Sequence, residues 1–416
     1  MKERRNAEMK KRIILVVLLV SIFVCCGVVS VFRGEAQAGP PSEIVVNLIG
    51  DITGPYAPST GAACLFAIKD MEKYINSHGG VRGVKIRFVV HDTRNKRDVA
   101  ISKYAEISAQ KPPLIVVLQV ADVEVLKERL AEDKIPALGV GGTDKTNWPV
   151  GWVFQTTPAY NDQFALFLDW LRSDWKKTGR IKLALVCPDF PYGHSIFTPT
   201  VDDYIKKKDI DVVAKEFFPP FDLDATTQFG RVARSKPDVI YSMTIAGQVR
   251  VALKGAESAG LIESVLYGMG CWGIDRTTAK LTGGLMEGVV GVAPVWLPSE
   301  THIPMIKELV DNFEKEKRPP ENNNGPYAIH CIVKVIAAEA LSKTVERVGW
   351  DKLNGEEVYK TLVGTKEWKV LGVMPFQFGT NSRCSLFGRM VKIKSGEPVP
   401  ISSWLPCPDM RPVQFR

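Results

Sequence analysis

The sequence predicts an α/β protein with two lobes, each built on a parallel sheet. Three observations support this fold class. Apolar runs rich in β-branched residues alternate with helical patterns along most of the chain. The run "PLIVVLQV" at 113–120 is apolar on both faces, which is typical of a strand covered by helices on both sides. The alternation restarts near Thr157, so the chain contains two such units.

In the first unit, the sequence pattern predicts strands and helices in strict alternation. In order, they are the strand "EIVVNLI" at 43–49, a helix near 61–77, the strand "VKIRFVV" at 84–90, a helix at 97–110, the strand at 113–120, a helix at 123–134 and the strand "IPALGVG" at 135–141.

The second unit repeats the pattern. It predicts helices at 160–175, 195–208, 225–236 and 248–260, and strands at 180–187, 211–218, 237–244, 264–270 and 287–294. Further helices are predicted near 302–317, 325–346 and 355–362, followed by short strands at 373–378 and 387–393. These late elements complete one or both lobes.

Residues 1–38 are predicted to be a signal peptide. A basic start precedes the uncharged run Ile13–Phe32, and Ala36-Gln37-Ala38 has the small-x-small pattern of a cleavage site. The run is also long enough to span a bilayer, so an uncleaved anchor stays an alternative. Either form places the rest of the chain on the far side of the membrane, and we expect a periplasmic protein.

The net charge of +8 comes from dispersed basic residues and predicts no nucleic-acid face. Six cysteines follow the leader. Cys64, Cys187 and Cys331 lie in apolar patterns that favour buried free thiols. Cys384 and Cys407, in the irregular tail, are the best candidates for a disulfide in an exported protein.

Motifs for catalysis and cofactors are missing from the sequence. It contains no GxSxG and no GxxxxGK[ST], and "GVGGTD" at 139–144 lacks the third glycine of a dinucleotide site. The five histidines, at 78, 91, 194, 302 and 330, lack metal-ligand spacing and are predicted to be surface or helix-cap residues. We therefore expect no enzyme activity, cofactor or metal, although an enzyme with an unrecognised site stays open.

Six segments rich in small, polar or aromatic residues follow predicted strands. Ligands of parallel α/β sheets bind beyond the carboxyl ends of the strands, so six such loops in two lobes predict a solute cleft rather than ordinary turns. The segments are "GDITGPYAPSTG" at 50–61, "LQVAD" at 118–122, "GVGGTD" at 139–144, "CPDFPYGH" at 187–194, "SMTIAGQ" at 242–248 and "GMGCWG" at 268–273.

From about Glu43 to Phe378 the sequence resembles the periplasmic solute-binding proteins of ABC transporters, in the branched-chain amino acid (Leu/Ile/Val-binding) class. The motifs that carry the resemblance are "GDITGPYAPSTG", "INSHGGVRGVKIRFVVHDTRN", "IPALGVGGTD", "YGHS" and "KPDVIYSMTIAGQVRVALKGAESAGL". The resemblance implies the type I periplasmic binding fold, with two Rossmann-like lobes that close on a solute about three crossings. It implies crossings near Gln155–Pro158, Val290–Pro294 and Leu371–Phe376. It implies a first lobe of residues 39–157 and 291–372, and a second lobe of residues 158–290, completed by 373–416 with the C-terminal tail.

The resemblance also implies a ligand site. In the family, the solute carboxylate is held in the first lobe, at positions that match Val120, Ala121, Gly141, Gly142 and Thr143. A tyrosine of the second lobe that packs on the ligand matches Tyr192. Candidate aromatic walls are Tyr56, Trp148, Trp272 and Trp296.

Three departures from the family pattern affect specificity. The family's serine falls at Val120 or Ala121, a second aromatic residue falls at Ile245 or Ala246, and the glutamate that pairs with an α-ammonium falls at Gly270. Asp189 and Asp275 are the candidate substitutes for that glutamate, and each is equally a candidate helix cap. The sequence therefore favours a carboxylate or amide without an α-amino group as the solute. An aromatic solute is one form of this hypothesis.

The leading functional hypothesis is a monomeric receptor that delivers a small solute to an ABC permease in the inner membrane. Two alternatives remain: a membrane-anchored sensing module of a signalling receptor, which an uncleaved Ile13–Phe32 favours, and a genuine amino-acid binder.

Overall fold

The computed structural model describes Met9 and residues 39–245, 247–364, 368–370, 374–378 and 382–416. Apart from Met9, the predicted signal peptide with its uncharged run lies outside the described residues. Residues Ser42–Arg416 form one unit, which contains every element named below. Within the described ranges, no helix has the length and apolar character needed to cross a membrane.

The first lobe is built on a five-stranded sheet. Its strands are β1 (Glu43–Gly50), β2 (Lys85–Asp92), β3 (Ile115–Val117), β4 (Ala137–Gly139) and β5 (Val153–Gln155). The intervening helices are α1 (Ala57–Ser77), α2 (Arg97–Ser108), α3 (Val120–Glu132) and the short α4 (Asp144–Asn147). The strand order is β2-β1-β3-β4-β5, and every pair is parallel, as the apolar strand patterns predict.

The second lobe is built on an eight-stranded sheet. Its helices begin with α5 (Tyr160–Asp174), the short α6 (Pro191–His194), α7 (Pro199–Lys207), α8 (Thr226–Arg234), α9 (Gly247–Ser258) and α10 (Arg276–Thr282). Its parallel strands are β6 (Ile181–Pro188), β7 (Ile210–Phe218), β8 (Val239–Ser242), β9 (Leu266–Met269) and β10 (Val290–Ala293).

The remaining elements complete both lobes. They are α11 (Pro304–Lys315), α12 (Gly325–Val348), α13 (Gly355–Gly364), β11 (Trp368–Val370), β12 (Met374–Phe376), β13 (Phe387–Lys394), β14 (Glu397–Pro400) and β15 (Leu405–Pro406). Strand β13 pairs antiparallel with β10, β14 and β15, and so extends the second sheet. Strands β11 and β12 form a separate antiparallel pair.

Helices cover both faces of the first sheet. Val117 belongs to a buried cluster with residues of α2 and α3, whereas its neighbour Val116 belongs to the cluster that contains α1 and α12. Because successive side chains of a strand point to opposite faces, α2 and α3 lie on one face and α1 and α12 on the other. This arrangement brings elements from both faces to the carboxyl edge of the sheet.

The chain passes between the two sheets three times. It leaves β5 for α5, and later leaves β10 for α11, which packs on α1 of the first lobe. The third passage follows Cys384, which still forms a parallel bridge with Gln155 at the edge of the first sheet. The family resemblance implied a passage near Leu371–Phe376. Among the described residues of that segment, β12 is paired with β11, and the chain enters the second sheet at Phe387.

The expected disulfide is not formed. All six cysteines after the leader are free thiols. Cys384 is buried beside β5, whereas Cys407 follows β15 and donates its N–H to the carbonyl of Leu386 at 2.7 Å. The prediction of a Cys384–Cys407 pair is therefore wrong, and the expectation that Cys64, Cys187 and Cys331 are buried free thiols is confirmed.

Candidate functional site

A cavity of about 230 Å³ lies where loops of the two lobes meet. It is small for a solute site, since ligand pockets have volumes of about 300–1,000 Å³. The first lobe lines it with Tyr56, Asn95, Arg97, Leu118, Gln119, Val120, Ala121, Val140 and His330, and the second with Tyr160, Phe190, Pro191, Tyr192, Ile245 and Trp272.

Five aromatic side chains form much of the wall. Tyr56 of the first lobe stacks on Phe190 of the second, with 6.1 Å between ring centroids, so aromatic contact crosses the cleft. Tyr160 and Tyr192 meet edge to face at 4.6 Å. The indole Nε1 of Trp272 donates to the Tyr160 hydroxyl at 3.0 Å. The wall is suited to a flat apolar group, because aromatic rings favour stacked and edge-to-face contact.

The N-terminus of α3 reaches the same cavity. Gln119 is the N-cap residue, and the first N–H bonded back to it is that of Val123, at 3.0 Å from the Gln119 carbonyl oxygen. The N–H groups of Val120 and Ala121 come before that bond, and both residues line the cavity. Unbonded N–H groups and the helix dipole together favour an anion at this position.

Two side chains add donors beside this helix end. The Gln119 Oε1 accepts the Asp51 N–H at 2.7 Å, which leaves the Gln119 amide nitrogen as the group available to a solute. Arg97, the first residue of α2, is exposed and lines this cavity as well as a larger adjoining one. Among the described residues it forms no ion pair. The first lobe thus presents a guanidinium, an amide and a helix N-terminus to one end of a solute.

No aspartate or glutamate is among the described residues that line this cavity. Two buried carboxylates lie close to it, behind the lining residues. Asp51 is committed to the fold, because it accepts the N–H groups of Gly54 and Tyr56, at 2.6 and 3.0 Å. The Asp122 Oδ2 accepts the Thr93 hydroxyl at 3.2 Å, its Oδ1 has no partner in the described structure, and burial raises the pKa of this carboxyl to about 7. A solute ammonium would therefore lack a lining carboxylate.

His330, on α12, is a buried polar residue of the cavity wall. It is 1% exposed, and neither ring nitrogen has a hydrogen-bond partner in the described structure. Burial, reinforced by the nearby Lys334 ammonium, lowers the pKa of the imidazole well below its usual value, so the ring is neutral. The expectation that His330 is a surface or cap histidine is therefore wrong, because an apolar helix carries it into the protein.

The fold and the cavity agree with a family model for periplasmic binding proteins, which matches residues 43–397. The chain belongs to the periplasmic binding protein family. Membership places it among extracytoplasmic proteins that bind small solutes. Among curated protein sequences, none matches it significantly.

Solved structures show the same two-lobed fold at low sequence identity. A branched-chain amino acid ABC transporter protein from Thermus thermophilus with bound valine is 20% identical, with a TM-score of 0.75, covering 91% of this chain and 98% of the other. A fatty acid ABC transporter substrate-binding protein from Thermomonospora curvata is also 20% identical, with a TM-score of 0.75 and coverages of 91% and 96%. A solute-binding protein from Rhodopseudomonas palustris BisB5 in complex with 3,4-dihydroxybenzoic acid is 20% identical, with a TM-score of 0.71 and coverages of 88% and 98%. The branched-chain class therefore stays a prediction.

In this periplasmic binding protein, five of the residues expected to contact solute line one cavity. They are Tyr56, Val120, Ala121, Tyr192 and Trp272. Ala246 lies outside the described residues, but the neighbouring Ile245 lines the cavity. The binding roles of all these residues stay predictions.

The segment Gly141–Thr143 lies beside the cavity rather than on its wall. The Gly141 N–H already donates to the Gln155 Oε1 at 3.1 Å, so the expectation that it binds a carboxylate needs correction. Gly142 packs closely on the Asn147 side chain. Thr143 caps α4 and lines the adjoining cavity of about 530 Å³, and its hydroxyl proton has no acceptor in the described structure.

Gly270 also requires a correction. A side chain at this position would collide with the Tyr192 hydroxyl and the Met243 sulfur. Gly270 therefore lies behind Tyr192 and lets that ring pack, and it has no place for the glutamate of the family pattern. Of the candidate substitutes, Asp275 caps α10 by accepting the N–H groups of Thr277 and Thr278.

Three further candidates lie away from the main cavity: Asp189, the other possible substitute for the glutamate, and two expected aromatic wall residues, Trp148 and Trp296. Asp189 is exposed on the adjoining cavity, where its Oδ1 is 2.6 Å from the His194 Nε2. Trp148 stacks on Phe415 at 6.0 Å, and Trp296 is buried in the core.

Sequence reasoning did not name nine of the lining residues as site candidates, among them Arg97, Gln119, Tyr160 and His330. Gln119 had no readable signal, because the sequence placed it in the strand at 113–120 and began the helix only at residue 123, and glutamine is not a preferred N-cap residue. Tyr160 and His330 sit in apolar helix patterns, where a polar group is indistinguishable from core until the fold is known.

Proposed function

We propose that this protein is the substrate-binding component of an ABC importer, and that its solute is a small aromatic carboxylic acid without an α-amino group. It acts without enzymatic chemistry, by closure of two lobes, and delivers the solute to a permease in the inner membrane. We further propose that it is exported, cleaved after Ala38 and monomeric.

The charge balance of the cavity is the observation that carries the proposal. One end offers the Arg97 guanidinium, the Gln119 amide and the N-terminus of α3, whereas no described lining residue is acidic. A carboxylate would find charge-assisted donors there. A zwitterionic amino acid would bring an ammonium into a site without a partner, and burying an unpaired charge is costly.

The aromatic side chains of the cavity wall support the proposal that the solute carries an aromatic ring. Tyr56, Phe190, Tyr192 and Trp272 offer ring faces and edges to an apolar group. The similar fold that holds 3,4-dihydroxybenzoic acid in Rhodopseudomonas palustris supports an aromatic acid as the solute class.

An amino acid as the solute is the second candidate. Asp189 favours it, because this carboxylate, together with those of Glu124 and Asp144, lines the adjoining cavity that also contains Arg97. An ammonium that reached one of these carboxylates would need the solute to extend from one cavity into the other. Replacing each of the three in turn, beginning with Asp189→Asn, separates the two candidates.

Thermal unfolding with a panel of solutes tests the proposal. Benzoate, 3-phenylpropanoate and 4-methylpentanoate should raise the midpoint in proportion to their saturation, whereas benzyl alcohol, which keeps the ring but lacks the carboxylate, should not. Asp189→Asn should respond to the acids as the wild type does. Stabilisation by benzyl alcohol as strong as that by benzoate, or by amino acids only and lost in Asp189→Asn, would contradict the proposal.

A further inference from the structure

His330 is the least explained polar group of the cavity. Its side chain lines the cavity, its residue is 1% exposed, and both ring nitrogens lack a partner in the described structure. Buried polar side chains are almost always hydrogen-bonded, because an unmet donor or acceptor keeps the full cost of its desolvation. A partner that arrives with the solute would remove that cost.

The position of His330 separates it from the carboxylate end. Arg97 and Val120 begin α2 and α3, which cover one face of the first sheet. His330 is on α12, which packs with α1 on the opposite face. The two groups therefore reach the cavity from opposite sides of the sheet edge. A solute whose carboxylate lies at α3 would direct another part of its ring toward His330.

The chemistry of the imidazole limits what it can bind. A neutral ring has one N–H donor and one acceptor nitrogen. Burial keeps this ring neutral, so it is not a second cationic site for the carboxylate. The described residues contain no cluster of histidine, cysteine, aspartate or glutamate that could hold a metal ion with it. A hydroxyl, which both donates and accepts, matches the imidazole best.

We propose that the solute carries a hydroxyl on its ring, away from the carboxylate, and that His330 is the specificity-determining residue that pairs with it. The inference rests on the proposed function, since it takes a small aromatic acid as the occupant of the cavity. It identifies the solute class as hydroxylated aromatic acids.

Calorimetric titration of the full mature protein tests this pairing. The probes are benzoate, 3-hydroxybenzoate, 4-hydroxybenzoate and the two methylbenzoates of matching substitution, which keep the shape but lose the hydrogen bond. The proteins are the wild type, His330→Phe and His330→Gln, where glutamine can still donate and accept. Unfolding midpoints without solute establish that each variant is folded.

At least one hydroxybenzoate should bind the wild type about tenfold tighter than benzoate and than its methyl analogue. That advantage, taken within each protein as the ratio of hydroxybenzoate to benzoate affinity, should disappear in His330→Phe and be partly restored in His330→Gln. An advantage that persists in His330→Phe, or hydroxybenzoates that bind the wild type no tighter than benzoate, would overturn the inference and leave the proposed function standing. Failure of every acid to bind would overturn both. If His330→Phe does not fold, the wild-type series and His330→Gln still decide.

Discussion

Arg97 carries the positive charge that a bound carboxylate would meet. The neighbouring Lys96 is also exposed, but it does not line either of the two cavities that Arg97 lines. Replacing these two adjacent basic residues one at a time therefore distinguishes a direct contact with the solute from the overall electrostatic field of the protein.

We predict that Arg97→Gln weakens benzoate binding about tenfold to a hundredfold, because a hydrogen bond to a charged group contributes about 1.5–3 kcal/mol. Lys96→Gln, which removes the same charge one residue away, should change affinity by less than about threefold. Titration calorimetry measures both. Equal losses in the two variants would show that Arg97 acts only through the overall charge.

The buried carboxyl of Asp162 makes the stability of the protein depend on pH. Its carboxylate lies at the start of α5, and its Oδ1 accepts the Met410 N–H of the C-terminal tail at 2.8 Å. Burial raises the pKa of this carboxyl from 3.8 to about 8. The native state therefore holds the proton more tightly than the unfolded chain does. The stability that protonated Asp162 contributes is fully present below about pH 4 and is lost as the pH rises through 8.

We predict that Asp162→Asn, which keeps the acceptor oxygen without the charge, is more stable than the wild type at pH 9 by on the order of 2 kcal/mol. The two should be nearly equal at pH 4. Asp174→Asn, at an exposed position of the same helix, is the matched control and should change little at either pH. Urea unfolding at the two pH values measures the difference. A wild type that is the more stable protein at pH 9 would show that the buried carboxyl is ionised and well solvated.

The sequence indicated positions at the cavity where a strand end lies close by, and missed positions that only the fold brings there. Tyr192 and Val120, which match the family pattern near two strand ends, line the cavity. His330 is far away in sequence, on a helix whose apolar pattern predicts only core, and no spacing rule connects it to α3. Gly270 shows the reverse case: the position matched to the family's glutamate lies behind the Tyr192 ring rather than on the cavity wall.

At the scale of elements, the loop between β1 and α1 is held by its own side chains. The sequence predicted that this segment forms part of a solute cleft. The buried Asp51 carboxylate accepts the N–H groups of Gly54 and Tyr56. The loop is thereby fixed, and its role at the cavity is to present the Tyr56 ring.

A buried ion pair joins three helices of the first lobe. The Arg318 guanidinium, just after α11, binds both carboxylate oxygens of Asp70 on α1, at 2.7 and 2.8 Å. The Tyr327 hydroxyl of α12 donates to the same carboxylate at 2.7 Å. Asp70 is 1% exposed, so its removal would leave the buried Arg318 guanidinium with Glu316 as its remaining carboxylate partner.

We predict that Asp70→Ala lowers the free energy of unfolding by about 3–5 kcal/mol, as breaking a buried ion pair does. The adjacent exposed pair of Lys69 and Glu316 is the control, and Lys69→Ala should cost less than about 1 kcal/mol. Urea unfolding of the mature chain measures both. Similar small losses in the two variants would mean that water replaces the Asp70 carboxylate.

For the whole molecule, the alternation of strands and helices was enough to predict two parallel sheets, because each element is defined by local periodicity. The third passage between lobes was misplaced because it depends on a bridge between Gln155 and Cys384, which are far apart in sequence. No local pattern marks such a contact. The first passage follows β5, a strand of three residues that the local pattern did not show, so its expected position came from the family resemblance.

Three passages without a long tether suit closure of the lobes about a solute. We predict a smaller radius of gyration by solution X-ray scattering when the protein is saturated with the tightest-binding acid among benzoate, 3-phenylpropanoate and 4-methylpentanoate. A variant with weakened binding, Arg97→Gln, should show the unliganded profile at the same acid concentration. Identical profiles for the wild type with and without saturating acid would exclude closure.

We expect the cleft to bind a carboxylate and to have no partner for an α-ammonium. Titration calorimetry with two matched pairs tests it most directly: leucine against 4-methylpentanoate, and phenylalanine against 3-phenylpropanoate. Each pair differs only in the amino group. We predict that the des-amino acid binds at least about tenfold tighter in each pair, with the aromatic acid the tighter of the two. Tight binding of leucine or phenylalanine, with the des-amino acids much weaker, would contradict the claim and show that the closed cleft supplies an anionic partner.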